Sequence, residues 1–280
     1  MGVLMKSSRM VFVSLLLSCA SAGPTSSGNT SGSDARPFSP EVNPFWGGRL
    51  FDKWAAITPT KLGAPAHERL KNLFGWDLRG TAGHYGAKYA NKKTALPVNL
   101  LEDPRSTAEL RNWLRDGGDG LPAYGDVLGP RELDAIAQFI DAVRSHRLAQ
   151  PSDVWTLDEK APNFYRLDAG GDAERGRRYY AEACASCHGD DGTLLLFDGG
   201  EYTLGGFMRQ KVYEGWFKVL AGHPGSSMEE QVPKDLGGAE QGRWILDIAA
   251  ALCDRAAFPR GAGTAVEVGD GDLRCGGYLK

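Results

Sequence analysis

The chain has 280 residues, 42 % hydrophobic and 24 % charged, with a formal net charge of −3 at pH 7. These values exclude a multi-span membrane protein and a wholly disordered chain, and the mild negative charge argues against nucleic acid as a partner. The length accommodates two small domains more readily than one large one.

Lys6 and Arg9 precede the apolar run Met10 to Leu17, which is too short to span a bilayer but suits the core of a secretory signal. Export is therefore expected. Leu16-Leu17-Ser18-Cys19 resembles the bacterial lipoprotein signal, which implies removal of residues 1–18 and acylation of Cys19 as a membrane anchor. Ala20-Ser21-Ala22 offers a competing cleavage site that would discard Cys19. By the same analogy, Ala20 rather than Asp after the cysteine points to the outer membrane, so the expected location is a periplasmic or membrane-anchored lipoprotein. Processing removes two of the 32 cations against 35 carboxylates and moves the formal charge from −3 to −5. Residues 19–40 are rich in Ser, Gly, Thr and Pro and read as a flexible tether.

Residues 41–150 read as a first helical domain. Leu70, Leu73 and Phe74 form an apolar cluster ahead of Gly75-Trp76-Asp77, and His84 falls in the Gly80–Gly86 stretch, where it reads as a loop histidine. A Gly-rich turn runs from Leu114 to Asp126 around Leu121. Leu133, Ile136, Phe139 and Ile140 then give the apolar stripe of a closing helix, with Pro130 near its start. The connection from Ser145 to Gly170, containing Pro151, Trp155 and Pro162, is long enough to pack two halves at several angles.

Residues 165–260 read as a second helical domain. A helix is expected over Gly171–Cys184, leading into Cys184-Ala185-Ser186-Cys187-His188. Cys184 and Cys187 are the one closely spaced pair among five cysteines, and Cys-x-x-Cys-His is the attachment sequence of c-type haem: two thiols form thioethers with the porphyrin, and the adjacent imidazole ligates iron. A redox Cys-x-x-Cys is the competing reading, as is half a zinc site, but no second close ligand pair exists in the sequence. Met208 falls in a helical pattern and reads as a core methionine. Met228 follows the turn-rich Gly222–Ser227, 40 residues after His188, and is the expected second axial ligand, with His223 of the same loop as its competitor. A closing helix is expected over Leu236–Leu252, with Ile245, Ile248, Ala249 and Leu252 on its apolar stripe. Cys253 and Cys275 are expected to pair and pin the tail 261–280; a loop of this size contributes about 3 kcal/mol under the chain-entropy model.

The second domain resembles the class I c-type cytochromes, with Gly176 and Tyr180 at that family's glycine and aromatic positions in the first helix. It departs from the family in the small residues around Ala251, where an aromatic is usual, and in lacking a proline soon after His188. The first domain resembles the same family in tandem form, with Leu70, Leu73, Phe74 and Leu121 standing where the two thiols, the imidazole and the methionine would be. The resemblance implies an all-α protein of two tandem cytochrome c-like domains of short helices, with only the C-terminal one packed around one covalent haem. An unfilled haem-sized void costs about 24 cal/mol per Å³, so those four apolar residues are expected to fill the N-terminal pocket.

The function expected from these residues is electron transfer through Cys184, Cys187, His188 and Met228, not enzymatic turnover. The partner is a redox protein, and the membrane is reached through Cys19. An open-iron haem enzyme and a docking or sensing lipoprotein acting through the haem-free domain are the alternatives.

Overall fold

The computed structural model describes residues 43–58, 67–88 and 94–280. The signal run, Cys19 and the tether 19–40 lie outside the described residues. The fold is mostly helical. Its helices are α1 (Pro44–Lys53), α2 (Leu70–Phe74), α3 (His84–Lys88), α4 (Thr107–Asp116), α5 (Pro130–Arg144), α6 (Ala173–Ala183), α7 (Ala185–His188), α8 (Leu204–Ala221) and α9 (Gly238–Leu252).

Local chemistry explains where these helices begin. Asn43 caps α1 by accepting the Trp46 N–H, with Pro44 at the first helical position. Ser106 and Glu109 form a reciprocal capping box on α4. The Asp172 carboxylate accepts the Glu174 and Arg175 N–H groups at the start of α6. The apolar stripes read from the sequence face inward: Leu133, Ile136, Phe139 and Ile140 of α5 and Ile245, Ile248, Ala249 and Leu252 of α9 are all buried.

Two helix crossings organise the molecule, α1 against α5 and α6 against α9. Both are too close for a side chain. A Cβ on Gly47 would lie 1.9 Å from the Ala135 carbonyl oxygen, and one on Gly176 would lie 1.8 Å from that of Asp247. Each of these glycines is followed four residues later by a buried aromatic, Phe51 and Tyr180 respectively.

The correspondence between the halves extends into the loops. Helices α2 and α7 both end at a left-handed glycine, Gly75 (φ 77°) and Gly189 (φ 83°), whose N–H groups donate to Lys71 O and Ala185 O. Three residues later Leu78 N–H donates back to Gly75 O and Gly192 N–H to Gly189 O, both residues again at positive φ. Helices α4 and α8 end at Gly117 and Gly222. The next residue closes a turn in each half, with Gly118 N–H donating to Leu121 O at 3.0 Å and His223 N–H to Met228 O at 2.8 Å. Helices α5 and α9 are 15 residues each and follow a glycine cap. By backbone position, then, Leu70, Leu73 and Phe74 match Cys184, Cys187 and His188, and Leu121 matches Met228.

The halves nonetheless belong to one compact unit, Pro40–Lys280, with a continuous core. Phe217 of α8 completes the N-terminal core: its ring stacks on Phe51 and meets Trp76 and Phe139 edge-on, with centroids 6.0, 5.1 and 5.4 Å away. Leu70, Leu73, Phe74 and Leu121 are buried, but a ring from the other half shares the work of filling the space.

The connection between the halves is not a plain linker. It holds an antiparallel hairpin, β1 (Trp155–Leu157) with β2 (Tyr165–Leu167), in the register Trp155–Leu167, Thr156–Arg166, Leu157–Tyr165. Trp155, Tyr165 and Leu167 are buried, which fixes one packing rather than several. His84 corrects the sequence reading too: it is the first residue of α3 and fully buried. Its ring stacks on Tyr213 at 4.1 Å, its Nε2 lies 2.8 Å from Asn163 O, and its N–H donates to the buried Asp77. A loop histidine is solvated; this one ties α3 to the connection and to α8.

Candidate functional site

The Cys184–His188 segment is set by three local features. The N–H of Cys184 ends α6 by donating to Tyr180 O, the single turn of α7 follows at once, and Gly189 stops it. One helical turn places the side chains of residues i, i+3 and i+4 on one face, so Cys184, Cys187 and His188 share a side. Cys184 is buried and Cys187 exposed, both as free thiols, and His188 is 8 % exposed.

The electrostatics of the pair differ from those of a dithiol oxidoreductase. Burial, with the Cys187 thiol beside it, pushes the Cys184 thiol up to about 12. A dithiol oxidoreductase depresses its nucleophile instead. Burial holds the His188 imidazole below its usual value, so it is neutral at pH 7, the form that binds a metal. Its Nδ1 is buried and has no hydrogen-bond partner among the described residues, and the nearest ring is Phe197 at 5.7 Å. Among the described residues no group of three or more His, Cys, Asp or Glu side chains converges to hold a metal ion, which leaves the thiol pair without the rest of a zinc set.

Beside this segment the chain exposes what it normally buries. Leu194, Leu195 and Leu196 are 67, 44 and 45 % exposed, and the Leu194 N–H donates to His188 O. Three consecutive exposed leucines, joined to the segment by that backbone bond, together with a neutral imidazole and two thiols on one helical face, suit a large flat apolar group held covalently. The residues therefore fit a haem: Cys184 and Cys187 as anchors and His188 as an axial ligand. A separate cleft of about 370 Å³, lined by Arg166, Asp168, Gly170, Gly277 and Tyr278 among others, contains no thiol or imidazole.

Met228 is half-buried on the loop between α8 and α9, and its N–H donates to Ser226 Oγ. His223, on the same loop, is exposed. Met208 is a core residue of α8, its Sδ filling the space in front of Gly215. Cys253 and Cys275 are joined by a disulfide, and the tail they hold is gripped again by the fully buried Arg209. Its guanidinium donates to Leu252 O and Phe258 O and pairs with Glu267.

Two charged clusters escape sequence reasoning. At the α6–α9 crossing, the fully buried Asp247 carboxylate accepts two bonds from Arg175 and one from the Asp172 N–H. Between the halves, Asp52 of α1 is buried and pairs with Lys218 of α8 and, at 3.7 Å, with Lys71 of α2. Both ammonium groups also lie over the Trp76 ring, at 4.7 and 4.0 Å. One signal was present: Asp52 sits in the apolar run Leu50-Phe51-Asp52-Lys53-Trp54, where a carboxylate must find a partner or a surface.

No protein-family model matches the chain, and comparison with curated proteins and with solved structures finds no match.

Proposed function

We propose that the protein is an exported mono-haem c-type cytochrome that transfers single electrons, with Cys184 and Cys187 holding the porphyrin as thioethers and His188 as the proximal ligand. The observation that carries this reading is the one-turn Cys-x-x-Cys-His face with its neutral, unpartnered imidazole, next to exposed Leu194, Leu195 and Leu196. The haem supplies a one-electron iron couple. The chain's own residues would do the rest: the thiols would fix the group, the neutral imidazole would leave a nitrogen for iron, and the exposed leucines would offer it an apolar surface. Met228 would supply the second protein ligand to iron, and a Met/His pair raises the reduction potential relative to two histidines. The fold reading that accompanies it is two cytochrome c-like domains in tandem, the N-terminal one without haem. Cys19 anchors the mature chain to a membrane, and the partner is another redox protein.

A pyridine haemochrome assay on exported protein tests the reading. One covalent haem per chain is expected, lost in Cys184→Ala and His188→Ala and retained in Phe74→Leu. No haem in the wild type overturns the cytochrome reading, and two overturn the haem-free N-terminal domain. An optical spectrum separates carrier from enzyme: a low-spin oxidised form with the weak thioether-to-iron charge-transfer band supports electron transfer, whereas a high-spin form that binds carbon monoxide or peroxide assigns open-iron chemistry.

A further inference from the structure

We infer that the N-terminal half is a clamp on the loop that carries Met228, with Asp52 as the positioning residue. The consequence for iron rests on Met228 being the axial ligand; the clamp itself rests on packing.

The two matched loops differ in freedom. In the N-terminal half, Leu121 follows the end of α4 by five residues, and Gly118 and Leu121 bond each other in both directions. In the C-terminal half, Met228 follows the end of α8 by seven residues, and His223, Gly225, Ser226 and Ser227 between them are exposed. The loop is tied mostly to itself, by His223 N–H to Met228 O, Ser226 N–H and Oγ–H to His223 O, and Met228 N–H to Ser226 Oγ; its bonds to the helices of its own half are Gln231 N–H to Val219 O and the Gln241 side-chain amide to Pro233 O and Leu236 O. A longer, exposed, glycine-containing loop has more conformations to lose, and a thioether is a weak ligand that a misplaced loop withdraws.

Helix α1 and the turn that follows it, Trp54–Ala56, supply what the loop lacks. Ala221, the last residue of α8, packs against Gly48 so closely that a Cβ there would be 2.6 Å from the Ala221 Cβ. At the tip, a Cβ on Gly225 would be 3.4 Å from that of Ala56. Glu229, next to Met228, lies 3.9 Å from Arg49, and Lys234 sits 5.8 Å from the Phe45 ring centroid while pairing with Glu230. The strongest hold is at the root: Lys218, one turn before the loop, is paired with the buried Asp52 and also faces Glu214, Lys71 and Trp76. Removing the Asp52 charge leaves Lys218 and Lys71 close together with Glu214 as their remaining carboxylate, so the end of α8 shifts and the loop with it.

The test compares holoprotein carrying Asp52→Asn or Arg49→Glu, the second placing like charges at Arg49 and Glu229, with Arg111→Glu on the distant Arg111–Asp134 pair as control. Haem content is expected to stay at one per chain. The charge-transfer band weakens, imidazole binds the oxidised protein at least tenfold more tightly, and the His223, Met228 and Gln231 amides exchange at least tenfold faster, while amides of α9 and the control protein are unchanged. Unchanged imidazole affinity and unchanged exchange in both test variants overturn the clamp. Arg49→Glu, at the partly exposed edge, keeps the test decisive should Asp52→Asn fail to fold. If the wild type carries no haem, the exchange measurement alone still decides the clamp, and the cytochrome reading fails separately.

Discussion

Alanine at Gly176 is expected to destabilise the protein even though alanine is the better helix former. The added Cβ would lie 1.8 Å from the Asp247 carbonyl oxygen, about half of the 3.4–4 Å of ordinary contact, and the obstacle is backbone that cannot rotate away. Helices α6 and α9 must separate, which also lifts Arg175 from the buried Asp247 carboxylate. Overpacking of this kind costs about 1–3 kcal/mol, against roughly 1 kcal/mol that alanine gains over glycine in a helix. Because the obstacle is backbone at 1.8 Å, the upper part of that range applies and the net loss is about 1–2 kcal/mol, more if the Arg175–Asp247 pair opens. Gly206 provides the control, since it too is helical but nothing lies nearer than 3.7 Å to its virtual Cβ; Gly206→Ala should stabilise by up to about 1 kcal/mol. Urea unfolding of the disulfide-intact proteins, followed by far-ultraviolet circular dichroism, compares the midpoints. A Gly176→Ala protein as stable as the wild type, measured beside a stabilised Gly206→Ala, would refute the close-crossing argument.

Phe217→Ala should cost about 3–5 kcal/mol, because the ring is buried among Phe51, Trp76 and Phe139. Unfolding should stay a single transition, as probes on the two halves will show; loss of only one half would mean that the core is not shared. Burial raises the Asp77 carboxyl above its ordinary value. The native state therefore holds that proton at pH values where the unfolded state has released it, and stability falls as pH rises from the ordinary carboxylate range through the raised value. Asp77→Asn, which can still accept the His84 N–H, should flatten that part of the stability–pH curve; an unchanged slope would assign the dependence elsewhere. Replacing both Cys253 and Cys275 by Ser should cost about 3 kcal/mol and release the tail, seen as faster proteolysis after Phe258. An equally stable, equally resistant variant would show that Arg209 alone holds the tail.

The helical stripes were legible because burial on one face imposes a local period on the sequence, and α5 and α9 follow it. The same is true of Met208, which a helical pattern placed in the core. His84 misled because a glycine-rich neighbourhood usually marks solvated turn, whereas here the glycines permit tight approach to Asp77 and Arg79. The connection between the halves misled similarly: its length suggested that the halves could pack at several angles, but Trp155, Tyr165 and Leu167 had a core to enter.

The sequence by itself determined the thiols and imidazole of one helical turn and the inward faces of the main helices. All of these depend on residues within a few turns of one another, so they leave a local pattern. Only the tertiary structure decided that Phe217 completes the core of the other half, that Asp52 bridges Lys71 and Lys218, and that α1 covers the Met228 loop. Asp52 and Lys218 are distant in the chain, and one helix face carries no mark of which other helix will cover it. Periodicity states that a surface is buried; packing alone states against what.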